Sequence, residues 1–180
     1  MKTIQNILLA VLLVSAAYAA DDVVSAVHGT IEKVDSTTKT IVVKTADGTE
    51  HSMHFTDKAA VHGAHASMGA AKDSWHGLKE GTEVVVHFSK NGTEDTALEV
   101  DKVGKEGLKA SDGMIEDVDR GGKKLVVKSS DGVVSTYRLT DHAALDGGRD
   151  IGEGMEKGTK ITVYYTKDAG KKVAHFFEKG

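Results

Sequence analysis

The feature of this sequence that most limits its possible folds is an internal repeat. The segment Gly29–Asp35, GTIEKVD, is matched by Gly113–Asp119, GMIEDVD, and the same offset continues through the residues that follow. A shorter offset then aligns Gly77–Val84, GLKEGTEV, with Gly154–Ile161, GMEKGTKI, so the second copy lacks seven residues between the two blocks. Self-similarity over this length indicates two copies of one structural unit.

Each copy is a series of short runs rich in Val, Ile, Thr and aromatic residues, separated by turn signals that contain glycine. This pattern predicts β-strands, and we count five in each copy. In the first copy the strands are predicted at Val27–Val34, Thr40–Thr45, Glu50–Thr56, Glu83–Ser89 and Ala97–Val103. The dipeptides Asp47-Gly48 and Asp131-Gly132 suit tight hairpin turns, in which glycine readily takes a positive φ.

Five short strands with a longer excursion between the third and the fourth are typical of a small barrel of the OB type. We therefore predict an all-β protein of two tandem OB-like five-stranded barrels, each with a loop or short helix between strands three and four. The first barrel is predicted over residues 22–104 and the second over residues 110–180, joined by the polar run Gly104–Ser111. The strand order within each barrel does not follow from the periodicity.

The N-terminus has the layout of a secretory signal peptide. Lys2 precedes an unbroken apolar run from Ile7 to Val14, and small residues follow as far as Ala19. The run is shorter than the stretch of about 20 residues that spans a bilayer. The sequence therefore predicts that residues 1–19 are removed and that the protein is periplasmic or secreted, with no membrane insertion after cleavage.

Charge and cysteine content narrow the range of ligands. Without the predicted signal peptide the chain has 22 basic and 27 acidic residues, a formal charge of −5, which disfavours nucleic acid as a partner. Aromatic residues make up 5% of the chain, too few for a groove that stacks bases. The chain has no cysteine, so a metal site must be built from His, Met, Asp or Glu.

Motifs of catalysis are absent from the sequence. There is no GxSxG elbow, and the glycine-rich segment 147–154 lacks the GK[ST] of a phosphate-binding loop. The adjacent acids Glu94 and Asp95 point apart if they lie in a strand, which is unsuitable for paired acid and base roles. We expect a protein that is not an enzyme. Our first hypothesis is a binding or envelope-structural module whose barrels present edge strands or loops to a partner protein of the cell envelope.

A histidine-rich stretch in the first copy supports a second hypothesis, a protein that binds or buffers metal. Residues 51–77 hold five of the nine histidines, two of the five methionines and the single tryptophan. Imidazole and thioether groups together favour Cu(I) or Ag(I), whereas histidines alone could bind Cu(II), Zn(II) or Ni(II). The alternative is incidental enrichment of histidine in a solvated loop. The predicted ligands are His62, His65, Met68 and His76.

Two resemblances bear on these hypotheses. The GTIEKVD start, the ADG hairpin, the FTDKAAV step and the GLKEGTEVVV block resemble bacterial exported domains of unknown function that adopt OB-like small barrels, which implies architecture and location. The strand Ser52–Thr56 with its neighbour His51 looks like the M-x-M-x-F-T strand of periplasmic copper chaperones of cation efflux systems. That likeness implies that His51 and Met53 are further ligands. Against it, the repeat matches Met53 with Tyr137, which favours a place for Met53 in the core.

Overall fold

The computed structural model describes residues 23–62, 77–91, 93–105, 107–119, 121–140, 143 and 156–180. In the first copy these residues form β1 Val23–Asp35, β2 Thr40–Lys44, β3 Glu50–His62, β4 Glu83–Asn91 and β5 Glu94–Lys102. In the second they form β6 Lys109–Asp119, β7 Lys124–Lys128, β8 Val134–Leu139, β9 Lys160–Asp168 and β10 Lys171–Lys179. The predicted signal peptide and most of both excursions between the third and fourth strands lie outside the described residues. Within them, no helix has the length and apolar character needed to cross a bilayer.

The strands close into two barrels that share one strand order. The first is ordered β1-β2-β3-β5-β4 and is closed by pairing of β4 with β1. The second is ordered β6-β7-β8-β10-β9 and is closed by pairing of β9 with β6. In both, the third strand pairs in parallel with the fifth, and the other pairs are antiparallel. The predicted fold class, all-β with two tandem OB-like barrels, is confirmed.

Barrel closure corrects one detail of the partner hypothesis. Every described strand has a hydrogen-bonded neighbour on both sides, because a closed barrel has no sheet edge. No described strand is therefore an edge strand over its whole length, although the first half of β1 pairs on one side only, with β4.

Glycines at equivalent places shape both barrels. The predicted Asp-Gly turns are present, and Gly48 and Gly132 have φ values of 88° and 85°. Gly29 and Gly113 lie where the first strand of each barrel passes close to the second. A Cβ atom on Gly113 would be 2.7 Å from the carbonyl oxygen of Lys128, so a side chain does not fit there without movement of the backbone.

Each barrel encloses its own core. In the first, Met53 is 0% exposed and packs within the apolar cluster, which confirms the core place that the repeat predicts. Tyr137 fills the equivalent position of the second barrel and is also 0% exposed. Ring centroids of Tyr137 and Tyr165 lie 5.3 Å apart in an edge-to-face arrangement.

Strand β3 runs further than its sequence pattern predicts. It was expected to end at Thr56, but it continues to His62, because beyond an irregularity between Phe55 and Ala60 it pairs again with β5. This second stretch of pairing sets His62 directly opposite Asp101. The extension therefore moves His62 from a predicted loop to the end of a strand.

The two barrels contact each other through a small apolar cluster. Val85 of β4, Leu108 of the connection and Tyr164 of β9 are buried together, and Val103 and Phe176 pack against them. Leu108 is 1% exposed.

A polar group adjoins this apolar cluster. His28 Nε2 is 2.8 Å from Glu83 Oε1, and its Nδ1 is 3.2 Å from Glu178 Oε2 of the second barrel. The Tyr164 hydroxyl is 3.1 Å from His28 Nδ1. Burial, together with the Glu178 carboxylate, raises the pKa of Tyr164 above its ordinary value, so the phenol keeps its proton as a donor.

Candidate metal centre

Three side chains that can ligate metal converge on one side of the first barrel. His62 is the last residue of β3, and Glu99 and Asp101 lie on β5, which runs parallel to it. One ligand atom from each lies within 4.8 Å of the other two. His62 Nδ1 is 2.8 Å from Asp101 Oδ1 and 2.9 Å from Glu99 Oε1.

A β-bulge turns the two carboxylates of β5 away from the core. Ala97 and Glu99 stand opposite consecutive residues of β4, so Leu98 is an extra residue in the ladder. A bulge of this kind resets the alternation of side chains. Ala97 and Val100 consequently point into the core, while Glu99 and Asp101 both lie outside the apolar cluster of the first barrel.

The three side chains form an ion-paired group of unequal exposure. The hydrogen bond to Asp101 has the largest effect on the pKa of His62, and the hydrogen bond to Glu99 has the next largest. Together they raise this pKa from 6.5 to about 10, so His62 is an imidazolium at neutral pH. The side chain of Asp101 is 1% exposed, that of Glu99 15% and that of His62 55%. The cluster is thus exposed to solvent through His62. One imidazolium faces two carboxylates, so a negative charge is left uncompensated next to the buried Asp101.

One oxygen of Asp101 has no hydrogen-bond partner among the described residues. Asp101 Oδ2 is inaccessible to solvent, and the nearest cation-forming group facing it is His175 of the second barrel, whose Nδ1 is 3.8 Å away. That separation is too long for a hydrogen bond. A buried carboxylate oxygen without a partner costs about 1–3 kcal/mol.

His175 itself is held by a contact on its other nitrogen. Its Nε2 and the Thr166 hydroxyl oxygen are 2.9 Å apart. Burial lowers the pKa of His175, against the opposing effect of the Asp101 carboxylate, so the ring is neutral near pH 7. The neutral imidazole is the form that binds metal.

A cavity lies between the two histidines at the junction of the barrels. Its volume is about 310 Å³, many times the roughly 30 Å³ that a water molecule occupies in the liquid. It therefore has room for an ion with bound water. It is lined by His62, Asp101 and Lys102 of the first barrel, Gly107 and Leu108 of the connection, and Thr166 and His175 of the second barrel. The Lys102 ammonium donates a hydrogen bond to the carbonyl oxygen of Gly77.

The structure separates the residues that the sequence proposed as ligands. His62 is in the cluster, and Met53 is inside the barrel core. His51 is half-buried on β3, with its ring centroid 6.5 Å from that of Phe88. His62 follows His51 by eleven positions along β3, at about 3.3 Å for each position, so the two cannot share an ion. His65, Met68 and His76 lie outside the described residues, and their ligand roles stay predictions.

Sequence reasoning missed Glu99, Asp101 and His175. The two acids are distant from His62 along the chain, Asp101 by 39 residues, and simple alternation from the core residue Ala97 would place both inside the barrel. His175, by contrast, could have been identified from the sequence by comparing the two copies. The repeat places His175 where the first copy has Leu98, and a histidine at a position that is apolar in the other copy is a reason to look for a function.

Fold and site together define a class: a tandem OB-like barrel protein with a histidine–carboxylate cluster where its barrels meet. The sequence matches no established family model, and no curated protein is significantly similar to it. Similar solved structures include Ag(I)-bound CusF, with 14% identity and a TM-score of 0.32 over 44% of this chain and 96% of that one. A second is CusF–Ag(I), residues 10–88, from Escherichia coli, with 14% identity and a TM-score of 0.34 over 46% of this chain and 95% of that one. The resemblance to exported tandem barrel domains stays a prediction.

Proposed function

We propose that the protein is a non-catalytic module that binds one divalent transition-metal ion, of the Zn(II) or Cu(II) type, through His62, Glu99 and Asp101. The observation that carries this proposal is the Asp101 carboxylate, which is almost fully buried, uses one oxygen for His62 and leaves the other without a partner. Buried charges in proteins are normally paired or bound to metal. The neighbouring cavity leaves space for the ion.

The donor set supports a divalent ion of borderline hardness. Zn(II) is commonly bound by imidazole nitrogen together with carboxylate oxygen, and Cu(II) accepts the same donors. Two carboxylates balance the charge of a divalent ion, whereas Cu(I) or Ag(I) would leave the buried acid uncompensated. Those monovalent ions also favour sulfur ligands, and Met53, the one methionine assigned to the first barrel's core, is enclosed there.

Metal binding would replace the proton that the cluster holds. In the metal-free protein the imidazolium of His62 compensates one of the two acidic charges, and a metal ion must displace its proton to reach the nitrogen. The cluster therefore keeps a net negative charge without metal and remains able to bind a cation. This suits a protein that takes up and releases an ion, and the predicted signal peptide supports such a buffering role outside the cytoplasm.

Titration calorimetry with Zn(II), and then with Cu(II), tests the proposal on the chain that begins at residue 20. We expect one ion per chain, with His62→Ala weakening the affinity at least about tenfold. His54→Ala is the matched control, because His54 is an exposed histidine of the same strand that is not part of the cluster. It should bind as the wild type does.

Two results would contradict the proposed site. Absence of stoichiometric binding would leave the cluster as an ion-paired group and return the partner-binding or structural hypothesis to first place. Binding that survives His62→Ala but is lost in a variant with His65→Ala, Met68→Leu and His76→Ala would move the site to residues 63–76.

A further inference from the structure

We infer that His175 of the second barrel is a further ligand of the same ion, so that metal binding ties the two barrels together. This inference rests on the proposed metal site, and it adds a ligand and a mechanical consequence that the three residues of the first barrel do not supply.

A bulge aims His175 out of its own barrel. In the β9–β10 ladder Ala174 and Phe176 stand opposite consecutive residues, Tyr165 and Tyr164, so His175 is the extra residue. The first barrel has the same bulge at Leu98. The fold thus supplies the bulge in both copies, and the second copy alone carries an imidazole on it.

The distance between His175 and Asp101 fits joint binding of one ion. His175 Nδ1 and Asp101 Oδ2 are 3.8 Å apart, and neither atom has a closer polar partner among the contacts of the described residues. Nitrogen and oxygen ligands of one tetrahedral Zn(II), each about 2.1 Å from the ion, lie about 3.4 Å apart. A small movement of either side chain would bring both atoms into ligand geometry, whereas a direct hydrogen bond needs a larger one.

The remaining nitrogen of His175 is placed as it is in many metal sites. Histidine ligands usually hold their second ring nitrogen in a hydrogen bond, which fixes the orientation of the ring. Thr166 on the neighbouring strand provides this contact at 2.9 Å from Nε2. Nδ1 is then the ring nitrogen on the side of Asp101, and both residues line the cavity.

A ligand from each barrel makes the ion a cross-link. The described contact between the barrels includes the small apolar cluster around Leu108 and the polar group around His28. An ion bound by Asp101 and His175 would add a further point of attachment. The relative motion of the barrels should then decrease when metal binds.

The test uses the full mature chain and His175→Leu, because leucine occupies the equivalent bulge of the first barrel and suits that backbone. We expect this variant to bind Zn(II) about 10- to 100-fold more weakly than wild type. Electron paramagnetic resonance of the Cu(II) complex should show one nitrogen ligand fewer. A Thr166→Val variant, which removes the orienting hydroxyl only, should weaken binding by less and keep the nitrogen count.

Motion between the barrels is measured on the same proteins. The chain has no cysteine, so spin labels can be attached at Ser36→Cys and Ser130→Cys, one exposed turn position in each barrel. We expect Zn(II) to narrow the distance distribution in the wild type and to leave it unchanged in His175→Leu.

The outcomes separate this inference from the metal site itself. If His175→Leu keeps wild-type affinity, nitrogen count and narrowing while His62→Ala loses binding, the site stands and the cross-link is wrong. Failure of the wild type to bind Zn(II) would overturn both. Loss of one nitrogen together with loss of narrowing would support the inference.

Discussion

Asp101→Asn should weaken metal binding strongly while leaving the metal-free fold nearly as stable as before. Asparagine has the shape of aspartate, so the packing of a residue that is 1% exposed is kept. It removes the charge and one anionic oxygen from the site. Because even groups that only orient a metal ligand contribute 10- to 100-fold to affinity, we expect Zn(II) affinity to fall at least about 100-fold.

The small effect on the metal-free fold follows from two opposing contributions. Loss of the charge-assisted hydrogen bond from His62 costs about 1.5–3 kcal/mol, at the lower end here because the imidazole is 55% exposed and still pairs with Glu99 at 2.9 Å. Replacing the unpartnered Oδ2 by an amide N–H, which can donate toward His175 Nδ1, recovers about 1–3 kcal/mol. The free energy of unfolding should therefore change by less than about 1.5 kcal/mol.

Thermal unfolding with and without Zn(II) measures both effects at once. At a free ion concentration 100 times the dissociation constant, binding stabilises the wild type by about 2.7 kcal/mol. For a protein of this size that corresponds to a rise in Tm of about 5–11 °C. The variant should unfold near the metal-free wild type in both conditions.

A fall of more than about 3 kcal/mol in the free energy of unfolding of the metal-free variant would contradict this prediction, because the carboxylate would then serve chiefly to stabilise the fold. An equal rise in the Tm of the variant and of the wild type on addition of Zn(II) would also contradict it, because the ion would then bind at another site.

Three further outcomes test the fold and the junction. Gly113→Ala should cost about 1–3 kcal/mol, since its Cβ would lie 2.7 Å from a backbone oxygen, whereas Gly121→Ala, with its nearest atom at 3.7 Å, should cost little in the same denaturant titration. Because the pKa of His62 is raised, its positive charge stabilises the metal-free fold by about 1 kcal/mol below pH 6.5. This stabilisation is lost as the pH rises through about 10. The free energy of unfolding of His62→Ala, measured from pH 6.5 to 10, should not show this decrease. Leu108→Ala should remove about 2–4 kcal/mol and split calorimetric unfolding into two steps, and a single unshifted transition would argue against a joint apolar cluster.

Much of the architecture could be predicted because the repeat and the turns are local properties. Alternating apolar residues identify strands, and Asp47-Gly48 and Asp131-Gly132 mark the hairpins that the structure shows with positive φ. Comparison of the copies also assigned Met53 to the core correctly. The end of β3 was misplaced because its last residues are held by pairing with a strand about 40 positions further along the chain.

The sequence by itself thus determines that this chain forms two small β units with glycine at their tight turns, since those features depend on residues that are neighbours along the chain. Tertiary structure alone decides that each unit is a closed barrel, and that His62 meets Glu99 and Asp101. It also decides that His175 faces them from the other barrel. The physical reason is that strand order, bulges and barrel packing bring together residues whose separation along the chain carries no trace of their distance in space.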